Sequence, residues 1–226
     1  LDAVTAAAAE PARKVIFAGV GFETTAPVVG GALARAKAAG LKNFFVAPLF
    51  KLVPPALEAL LQSGEVRVDG LLCPGHVSAI IGAEAYRFLA EQHRVPCVVT
   101  GFEPVDILQG ILMLVTMVEE GRHGTEVQYR RAVTQTGNVR AKEMVERIFE
   151  PCDEAWRGLG VIARSGLCLR EDYRRFDAIR HFGINTENVP EPPGCLCGRI
   201  HLLSQQSRRF FCRAPIRLSF PLPGLY

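Results

Sequence analysis

The sequence lacks a hydrophobic run long enough to span a membrane. Its longest apolar stretch, Ile111–Val118, is far shorter than the roughly 20 residues that a transmembrane helix needs. The start of the sequence shows no charged segment followed by an apolar one, as a secretory signal would. Cysteine is sparse, with seven residues at irregular spacing, which excludes a small disulfide scaffold. We therefore expect a cytoplasmic protein with unpaired cysteines and no membrane partner.

Three familiar ligand-binding motifs are also missing. The sequence contains neither a Gly-x-x-x-x-Gly-Lys phosphate loop nor a Gly-x-Ser-x-Gly nucleophile elbow. Gly19-Val20-Gly21 is followed by Phe22-Glu23, so the third glycine of the dinucleotide fingerprint is not at its required place. The missing third glycine argues against a Rossmann-type cofactor.

Acidic residues are missing from the end of the chain. Residues 195–226 contain five Arg and no Asp, Glu or Lys, so the preceding 194 residues carry a net charge of −2. A nucleic-acid-binding protein usually spreads its basic residues over a folded face. Here the excess lies in a terminal segment, so we do not expect nucleic acid as a partner.

The remaining composition is that of a globular protein, with 49% apolar and 22% charged residues. Short apolar runs alternate with amphipathic stretches between residues 15 and 122. The runs lie at residues 15–20, 43–47, 69–73 and 95–100, and helical patterns follow them at 28–39, 54–61, 77–93 and 104–120. Four such βα units predict an α/β domain, with a parallel sheet that carries helices on both faces.

The regions outside this α/β domain are less regular. Residues 1–14 are a lead-in, residues 123–190 a helical and short-strand segment, and residues 191–226 a tail rich in Pro, Cys and Arg that we predict to be poorly ordered. Within the middle segment we predict a long helix over 125–150, interrupted near Gly137, short strands at 156–162 and 167–169, and a short helix at 173–182.

Three of the predicted strands end in a side chain that can do chemistry. Gly21-Phe22-Glu23 and Gly101-Phe102-Glu103, which are 80 residues apart, each place a carboxylate between an apolar run and a helix. His76 follows the third run in the same way. Ligands of open α/β sheets bind at the carboxyl ends of the strands. We therefore predict that Glu23, His76 and Glu103 converge on one cleft as candidate catalytic groups.

Each of these residues also has a simpler interpretation. Glu23 and Glu103 can be solvated carboxylates in first helical turns, where acidic residues are common. His76 can be a hydrogen-bonded histidine of a turn. Thr24 and Thr25 can cap the helix that follows them and also offer hydroxyl groups, and Asp106 lies in a first turn that favours negative charge. The residues alone leave acid–base chemistry and helix capping open.

The cysteines divide into three kinds. Cys73 and Cys97 lie in apolar runs and are predicted to be core residues. Cys152 and Cys168 are isolated in the sequence. Cys195, Cys197 and Cys212 form the one cluster, which is one thiolate short of the four that an iron–sulfur cluster usually needs, although zinc could add His201. Unpaired cysteines of a tail are the alternative interpretation.

Several strings resemble the hydrogenase formation protein family HypD, in the order in which that family has them. They are GFETTAP at 21–27, PGHVSAIIG at 74–82, GFEPVDILQGI at 101–111, EVQYRRAV at 126–133, EAWRGLGVI at 154–162, SG at 165–166, YRRFDA at 173–178 and GCLCG at 194–198. The resemblance therefore covers residues from about Val15 to about Gly198.

The resemblance implies an assembly scaffold more than an independent enzyme. Its product would be the Fe(CN)2CO centre of [NiFe] hydrogenases, with iron as the cargo, and its partners a HypC-type chaperone and a HypE-type cyanide donor. The family's fold has two α/β lobes and a C-terminal lobe with a [4Fe-4S] cluster. Five residues fall on the family's cleft motifs, and two more lie in the same strings: Glu23, Thr24, Thr25, His76 and Glu103, with Ser78 and Asp106.

The sequence also departs from the family pattern. The family's redox and iron-holding cysteines precede GFETTAP, in Cys-Gly-Gly-His-like and Cys-Pro-Val-Cys-like segments that do not occur here. Residues 199–226 do not resemble the family, and its C-terminal cysteine array is missing. We therefore expect a truncated or frameshifted HypD-like factor whose tail holds no stable [4Fe-4S] cluster. A stand-alone α/β enzyme acting on a small anion and a non-catalytic partner-binding fragment are the alternatives.

Overall fold

A computed structural model describes residues 1–64, 66–156 and 159–184. The elements are α1 (Asp2–Ala9), β1 (Val15–Gly21), α2 (Ala26–Ala38), β2 (Phe44–Phe50), α3 (Val53–Gln62), β3 (Leu71–Pro74), α4 (Gly75–Ile81), a 3-10 helix (Ala83–Tyr86), α5 (Arg87–His93), β4 (Cys97–Thr100), α6 (Pro104–Glu119), β5 (Thr125–Val127), α7 (Val139–Ile148), β6 (Phe149–Trp156), β7 (Gly160–Leu169), a second 3-10 helix (Glu171–Phe176) and α8 (Ala178–Phe182). The described residues within 1–154 and 161–184 form one compact unit, to which the contacts described below belong.

The first sheet consists of the parallel strands β1 and β2, in register from Val15 opposite Phe44 to Gly21 opposite Phe50. Strand β2 is almost wholly apolar and buried, because helices and later segments cover it. Its core contains Leu33 of α2, Phe50 and Phe149, whose ring lies 5.4 Å from that of Phe50. On its other side β2 forms isolated bridges with later segments of the chain.

The second sheet consists of β3, β4 and β5, all parallel, with β4 in the centre. Its core contains Tyr86, Leu89 and Val99, together with Cys73 and Cys97, which are free and buried. The prediction that these two cysteines are core residues is therefore confirmed.

The predicted α/β class is confirmed, since parallel strands are flanked by helices in both sheets. The expectation of one continuous sheet is wrong. The edge of β2 at which β3 would have to pair is instead bridged by Asp177 to Val46 and by Gly166 to Lys51. Segments from the later part of the chain thus separate the first two strands from the next three.

The helix predicted over 125–150 is present only in its second half. Residues 125–127 form β5, whose pairing with β4 holds them extended, and helix begins at Val139. Asn138 starts this helix, because its side-chain oxygen accepts a hydrogen bond from the backbone N–H of Ala141 at 3.0 Å. The pattern over 77–93 is likewise divided at Gly82, whose φ of +89° ends α4.

Cys152 and Cys168, expected to be isolated and unpaired, are joined by a disulfide. Strands β6 and β7 pair with each other and bring the two Cα atoms to 5.9 Å, although 16 residues separate them in the sequence. The strands predicted at 156–162 and 167–169 both overlap β7, whereas β6, of which the prediction includes only Trp156, is not predicted as a strand.

Other predictions fall beyond the described residues. Cys195, Cys197, Cys212 and the whole tail 191–226 lie outside them. Among the described residues, no helix combines the length and the apolar character needed to cross a membrane.

Candidate functional site

Glu23 lies in a buried position two residues after the end of β1. Gly21, with a φ of +149°, makes the turn possible, since a Cβ there would lie 2.4 Å from Oγ1 of Thr25. The Glu23 residue is 6% exposed, and its Oε1 accepts a hydrogen bond of 2.8 Å from the backbone N–H of Val53, the first residue of α3. The other oxygen, Oε2, is buried and has no hydrogen-bond partner among the described residues.

The surroundings of Glu23 favour its neutral form. Burial raises the pKa of Glu23 to about 7, and the backbone N–H groups of Glu23 and Val53 offset part of this effect. Glu23 is therefore a carboxyl group that exchanges a proton near neutral pH, which is the property that general acid–base chemistry requires.

Glu23 lines a cavity of about 250 Å³. The walls are mainly apolar and come from five separate segments of the chain: Ala26, Leu52, Ile80, Ile81, Val145 and Leu167. The polar groups besides Glu23 are Lys142 and Glu146 of α7. Lys142 also donates a hydrogen bond from Nζ to the carbonyl of Thr136, at 3.1 Å. The cavity thus combines a titrating carboxyl group with one cation and a second acidic side chain in a largely apolar space.

Thr24 and Thr25 are half-buried in the same turn. Thr25 directly precedes α2, but its side chain makes no capping hydrogen bond, so the predicted capping role is wrong for this residue. Its hydroxyl faces Gly21 instead.

His76 lies at the start of α4, directly after β3, and is exposed. Its ring lies 4.7 Å from that of Phe102 and 6.4 Å from that of Tyr129. Gly75 allows this approach, because a Cβ there would lie 2.5 Å from the carbonyl oxygen of Thr100 at the end of β4. His76 therefore belongs to the carboxyl end of the second sheet.

Ser78 is fully buried one turn further along α4. Its hydroxyl donates a hydrogen bond of 2.7 Å to the carbonyl of Pro74, and its oxygen lies 3.4 Å from the hydroxyl of Tyr86. Burial raises the pKa of Tyr86, and the negative charge of Glu23 raises this pKa further. Ser78 thus anchors the first turn of α4 from the inside.

Asp106 is a buried carboxylate that is held by several side-chain hydrogen bonds. It is 5% exposed, and the guanidinium of Arg131 donates to both of its oxygens, at 3.0 and 2.5 Å. The side-chain amide of Gln128 adds a bond of 2.9 Å. Arg131 holds the pKa of Asp106 well below its usual range, and Gln128 acts in the same direction. Gly101 leaves room for this carboxylate, since a Cβ there would lie 2.1 Å from Oδ2.

Arg131 connects Asp106 to the outer part of the site. Its guanidinium also pairs with the carboxylate of Glu103, which is exposed, and lies 4.3 Å from the centre of the Tyr129 ring. A planar guanidinium can hold two carboxylates and an aromatic face at the same time, which an ammonium group cannot. Arg131 therefore fixes Glu103 and Tyr129 around a buried anchor, Asp106.

The structure brings some of the predicted residues together and separates others. His76 follows β3 and lies beside Phe102 and Tyr129, whereas Glu103 and Asp106 follow β4 and pair with Arg131. The contact of Arg131 with the Tyr129 ring connects these residues into one group. Glu23 follows β1 of the other sheet and faces its own cavity, which the end of α4 also lines. Helix α4 thus carries His76 near its start, in the group that contains Arg131. Ile80 and Ile81 at its end line the cavity of Glu23.

Sequence reasoning misses Arg131, Tyr129, Gln128 and Lys142. Arg131, Tyr129 and Gln128 lie in the string EVQYRRAV, which enters the sequence argument only as part of a resemblance. Their position after the short strand β5 is hidden, because the local pattern of that segment predicts a helix. Lys142 lies on the polar-looking face of α7, whose contact with the cavity depends on long-range packing.

Potential metal ligands are scattered over the described part of the chain. No group of three or more His, Cys, Asp and Glu side chains among residues 1–64, 66–156 and 159–184 is arranged to hold a metal ion. Of the described cysteines, two are bonded to each other and two are buried in an apolar core. These residues do not fit a four-thiolate cluster.

Comparison with known proteins relates most of the chain to one family, in a match that extends beyond Gly198, where the resemblance of the sequence motifs ends. The model of the HypD family, described as the hydrogenase formation hypA family, matches residues 1–212. The chain is 45% identical over 207 residues to hydrogenase maturation factor HypD2 of Bradyrhizobium diazoefficiens, 44% identical over 207 residues to hydrogenase maturation factor HypD of Rhizobium leguminosarum bv. viciae, and 42% identical over 203 residues to hydrogenase maturation factor HypD of Escherichia coli (strain K12).

These matches cover unequal shares of the two partners. Each covers 88% of this chain but 54% of the relative. The chain therefore spans about half the length of the curated relatives that it matches.

Proposed function

The chain belongs to the HypD family, and from this membership we propose that it takes part in hydrogenase maturation, as the names of its relatives state for those proteins. The observation that carries the proposal is the 41–45% identity to maturation factors over almost nine-tenths of the chain. The polar residues near the two ends of α4 support it, because Glu23, His76, Glu103, Asp106 and Arg131 all lie in strings that resemble the family.

We propose a division of labour between the two groups. Glu23, in its apolar cavity, serves as the proton donor and acceptor, since its pKa of about 7 lies close to neutral pH. His76 and Glu103, which are exposed, present an imidazole and a carboxylate to the molecules that bind at the end of the second sheet. Asp106 and Arg131 position Glu103 without themselves being free to react.

The finer form of the proposal follows the family resemblance. The chain would act within a scaffold on which the Fe(CN)2CO centre of a [NiFe] hydrogenase is assembled, in the cytoplasm, with iron as cargo. A HypC-type chaperone and a HypE-type cyanide donor would be its partners. The family's [4Fe-4S] cluster enters no step here, because the described residues offer no set of thiolates for it.

A chimera tests the proposal. This chain replaces the matching portion of the E. coli relative, and the hybrid is expressed in E. coli that lacks its own HypD. If the chain is a working maturation factor of this family, the chimera restores hydrogenase activity, whereas a host with an empty vector shows none. A chimera that accumulates to the level of the E. coli protein but restores no activity would contradict the proposal.

A second function is favoured by the cavity alone. A titrating carboxyl group beside Lys142 in an apolar space of about 250 Å³ is also what an acid–base enzyme acting on a small anion would need. Turnover of a small anionic substrate by the isolated chain, lost on Glu23→Gln, would favour this enzyme over the scaffold.

A further inference from the structure

Neutral Glu23 carries a proton whose position follows from the hydrogen bond that this residue already makes. Oε1 accepts that bond from the backbone N–H of Val53 at 2.8 Å. A protonated carboxyl group has one O–H donor, and its carbonyl oxygen is the better acceptor, so the proton lies on Oε2. That oxygen is buried and has no hydrogen-bond partner among the described residues. Because a buried donor without an acceptor costs free energy, Glu23 offers its proton to a ligand of the cavity that it lines.

Lys142 brings a positive charge to the same cavity from helix α7. Its ammonium group has three donors, and one of them binds the carbonyl of Thr136 at 3.1 Å. Within the described part of the chain, Lys142 forms no ion pair with a carboxylate. Two donors of this cation therefore remain for a negatively charged ligand.

Two further ionisable groups surround Glu23. Glu146 also lines the cavity, but it is exposed, so solvent screens its charge more than that of the half-buried Lys142. Tyr86, on the first 3-10 helix, is neutral near pH 7 because burial raises its pKa. The inner part of the cavity thus presents a cation and a neutral donor, both of which favour an acceptor with negative charge.

The walls and the size of the cavity narrow the class of ligand. Leu52, Val145 and Leu167 are among the apolar residues of the wall. Phosphate and sulfate are strongly hydrated, and apolar walls cannot replace the hydrogen bonds that such ions lose. A water molecule takes about 30 Å³ in the liquid, so a cavity of about 250 Å³ holds roughly eight non-hydrogen atoms. A carboxylate with a short hydrocarbon chain has this size, two acceptor oxygens and an apolar body.

We propose that this cavity binds a small monocarboxylate. One oxygen of the ligand accepts a hydrogen bond from Oε2 of protonated Glu23, and the other accepts a hydrogen bond from Nζ of Lys142. The hydrocarbon chain packs on Leu52, Val145 and Leu167. The inference rests on the proposed role of Glu23 as a proton donor and acceptor, and it adds the class of ligand and Lys142 as a binding residue.

Isothermal titration calorimetry of the full chain with sodium butyrate tests the proposal. Butyrate fits the volume of the cavity and is ionised between pH 6 and pH 8. We expect a 1:1 complex at pH 6. Butyramide, the neutral analogue, and butylammonium, the cationic one, should bind roughly tenfold more weakly or less, because neither can form the charge-assisted bond to Lys142.

The affinity for butyrate should depend on pH in a defined direction. The ligand binds the protonated form of Glu23, whose pKa is about 7, so the affinity should fall about tenfold from pH 6 to pH 8. At pH 8 binding should also take up close to one proton per chain, which titrations in two buffers of different ionisation enthalpy measure. Glu23→Gln should bind butyrate equally at both pH values, because its amide group donates a hydrogen bond at any pH.

Substitutions of Lys142 separate its charge from any role in folding. Lys142→Met should weaken butyrate binding at pH 6 by roughly tenfold or more, whereas Lys142→Arg, which keeps a charged donor, should retain it. Arg140→Met removes an exposed cation of the same helix and is the matched control. This variant should bind butyrate like the wild type.

Three results would overturn the proposal. The first is no binding of butyrate to the wild-type chain at pH 6. The second is binding that Lys142→Met leaves unchanged, and the third is wild-type binding that is as tight at pH 8 as at pH 6. These titrations need no maturation assay. If they failed while a Glu23→Gln chimera lost hydrogenase activity, the ligand class would be wrong and the proposed function would stand. If they succeeded while that chimera stayed active, the proposed function of Glu23 would be wrong and the binding site would stand.

Discussion

At the scale of single residues, the environment of Glu23 differs strongly from that of an ordinary surface carboxylate, because the side chain is buried. Burial raises its pKa from 4.5 to about 7. Below pH 4.5 the group is neutral in both the folded and the unfolded chain. Between pH 4.5 and 7 the unfolded chain ionises while the folded protein keeps its proton, so the free energy of unfolding falls as the pH rises. Above pH 7 the loss is complete.

This environment predicts a stabilising substitution at high pH. Between pH 5 and pH 8 the ionisation of Glu23 should lower the free energy of unfolding by roughly 2–3 kcal/mol. Glu23→Gln removes this ionisation, so its free energy of unfolding, measured in urea, should fall by that much less over the same interval. Glu143→Gln, an exposed residue of α7, is the control and should follow the wild type. If the free energy of unfolding depended on pH in the same way for Glu23→Gln and the wild type, the claim that Glu23 is buried and neutral would be contradicted.

Asp106 predicts the opposite dependence on pH. Because Arg131 lowers its pKa, Asp106 contributes stability that is present above its unfolded pKa and is lost as the pH falls through the lower, folded value. Arg131→Ala should therefore destabilise the protein at pH 7 and reduce the further loss of stability on acidification. Thermal unfolding at pH 7 and pH 3 measures both effects.

The matched variants for this prediction are Arg131→Lys and Arg130→Ala. Arg131→Lys keeps the charge but loses the two-pronged contact, so it should lie between the wild type and Arg131→Ala. Arg130 is exposed and its side chain donates to the carbonyl of Val127. A loss of stability for Arg130→Ala as large as that for Arg131→Ala would mean that the Asp106 contact is not the cause.

At the scale of elements, the loop before α7 holds the end of α4 in place. Gly137 has a φ of +70°, and a Cβ there would lie 2.3 Å from the carbonyl oxygen of Ile80. Gly121 has a similar φ of +64° but nothing within 4 Å. Gly137→Ala should therefore cost about 1–3 kcal/mol more than Gly121→Ala, which carries only the backbone strain. If the two variants lost the same free energy of unfolding in urea, the close contact between the loop and α4 would not be the cause.

The disulfide between β6 and β7 is a second element-scale feature with a measurable effect. It closes a loop of 16 residues, which should stabilise the protein by about 3 kcal/mol relative to the reduced chain. Dithiothreitol should thus lower the free energy of unfolding of the wild type but not that of the double variant Cys152→Ser, Cys168→Ser. If dithiothreitol lowered the free energy of unfolding equally in both proteins, the effect would come from other cysteines.

The elements also show how far sequence reasoning reaches. The strands and helices between residues 15 and 122 follow from local periodicity, which is why the predicted bounds of β1, β2 and α6 lie close to the observed ones. The separation into two sheets is not predictable in this way, because it depends on Asp177 and Gly166 bridging to β2 from far along the chain. The disulfide escapes prediction for the same reason, since only the pairing of β6 with β7 brings its cysteines together.

The residues of the candidate site are likewise only partly predictable from the sequence. Glu23, His76 and Glu103 are identifiable in the sequence, because each follows an apolar run at a strand end. Arg131 is not, since its contact with Asp106 bridges 25 residues and depends on the extended β5. Local signals therefore locate the strand ends, and packing decides which groups meet there.

At the scale of the whole molecule, the described residues combine two parallel sheets with a buried carboxyl group whose pKa lies near neutral pH. Helix α6 and strand β1 also expose large apolar side chains, among them Leu108, Leu112 and Val20. The proposed role in maturation rests on the family membership, and Glu23 is the residue whose replacement tests it most directly.

The central claim is that Glu23 is needed for maturation and not merely for folding. The most direct measurement is hydrogenase activity in E. coli without its own HypD, supplied with the chimera carrying either wild-type Glu23, Glu23→Gln or Glu143→Gln. We predict full activity for the wild type and Glu143→Gln, and none for Glu23→Gln at an equal protein level and with a Tm no lower than that of the wild type. Wild-type activity of the Glu23→Gln chimera would contradict the account and leave Glu23 as the partner of the Val53 N–H alone.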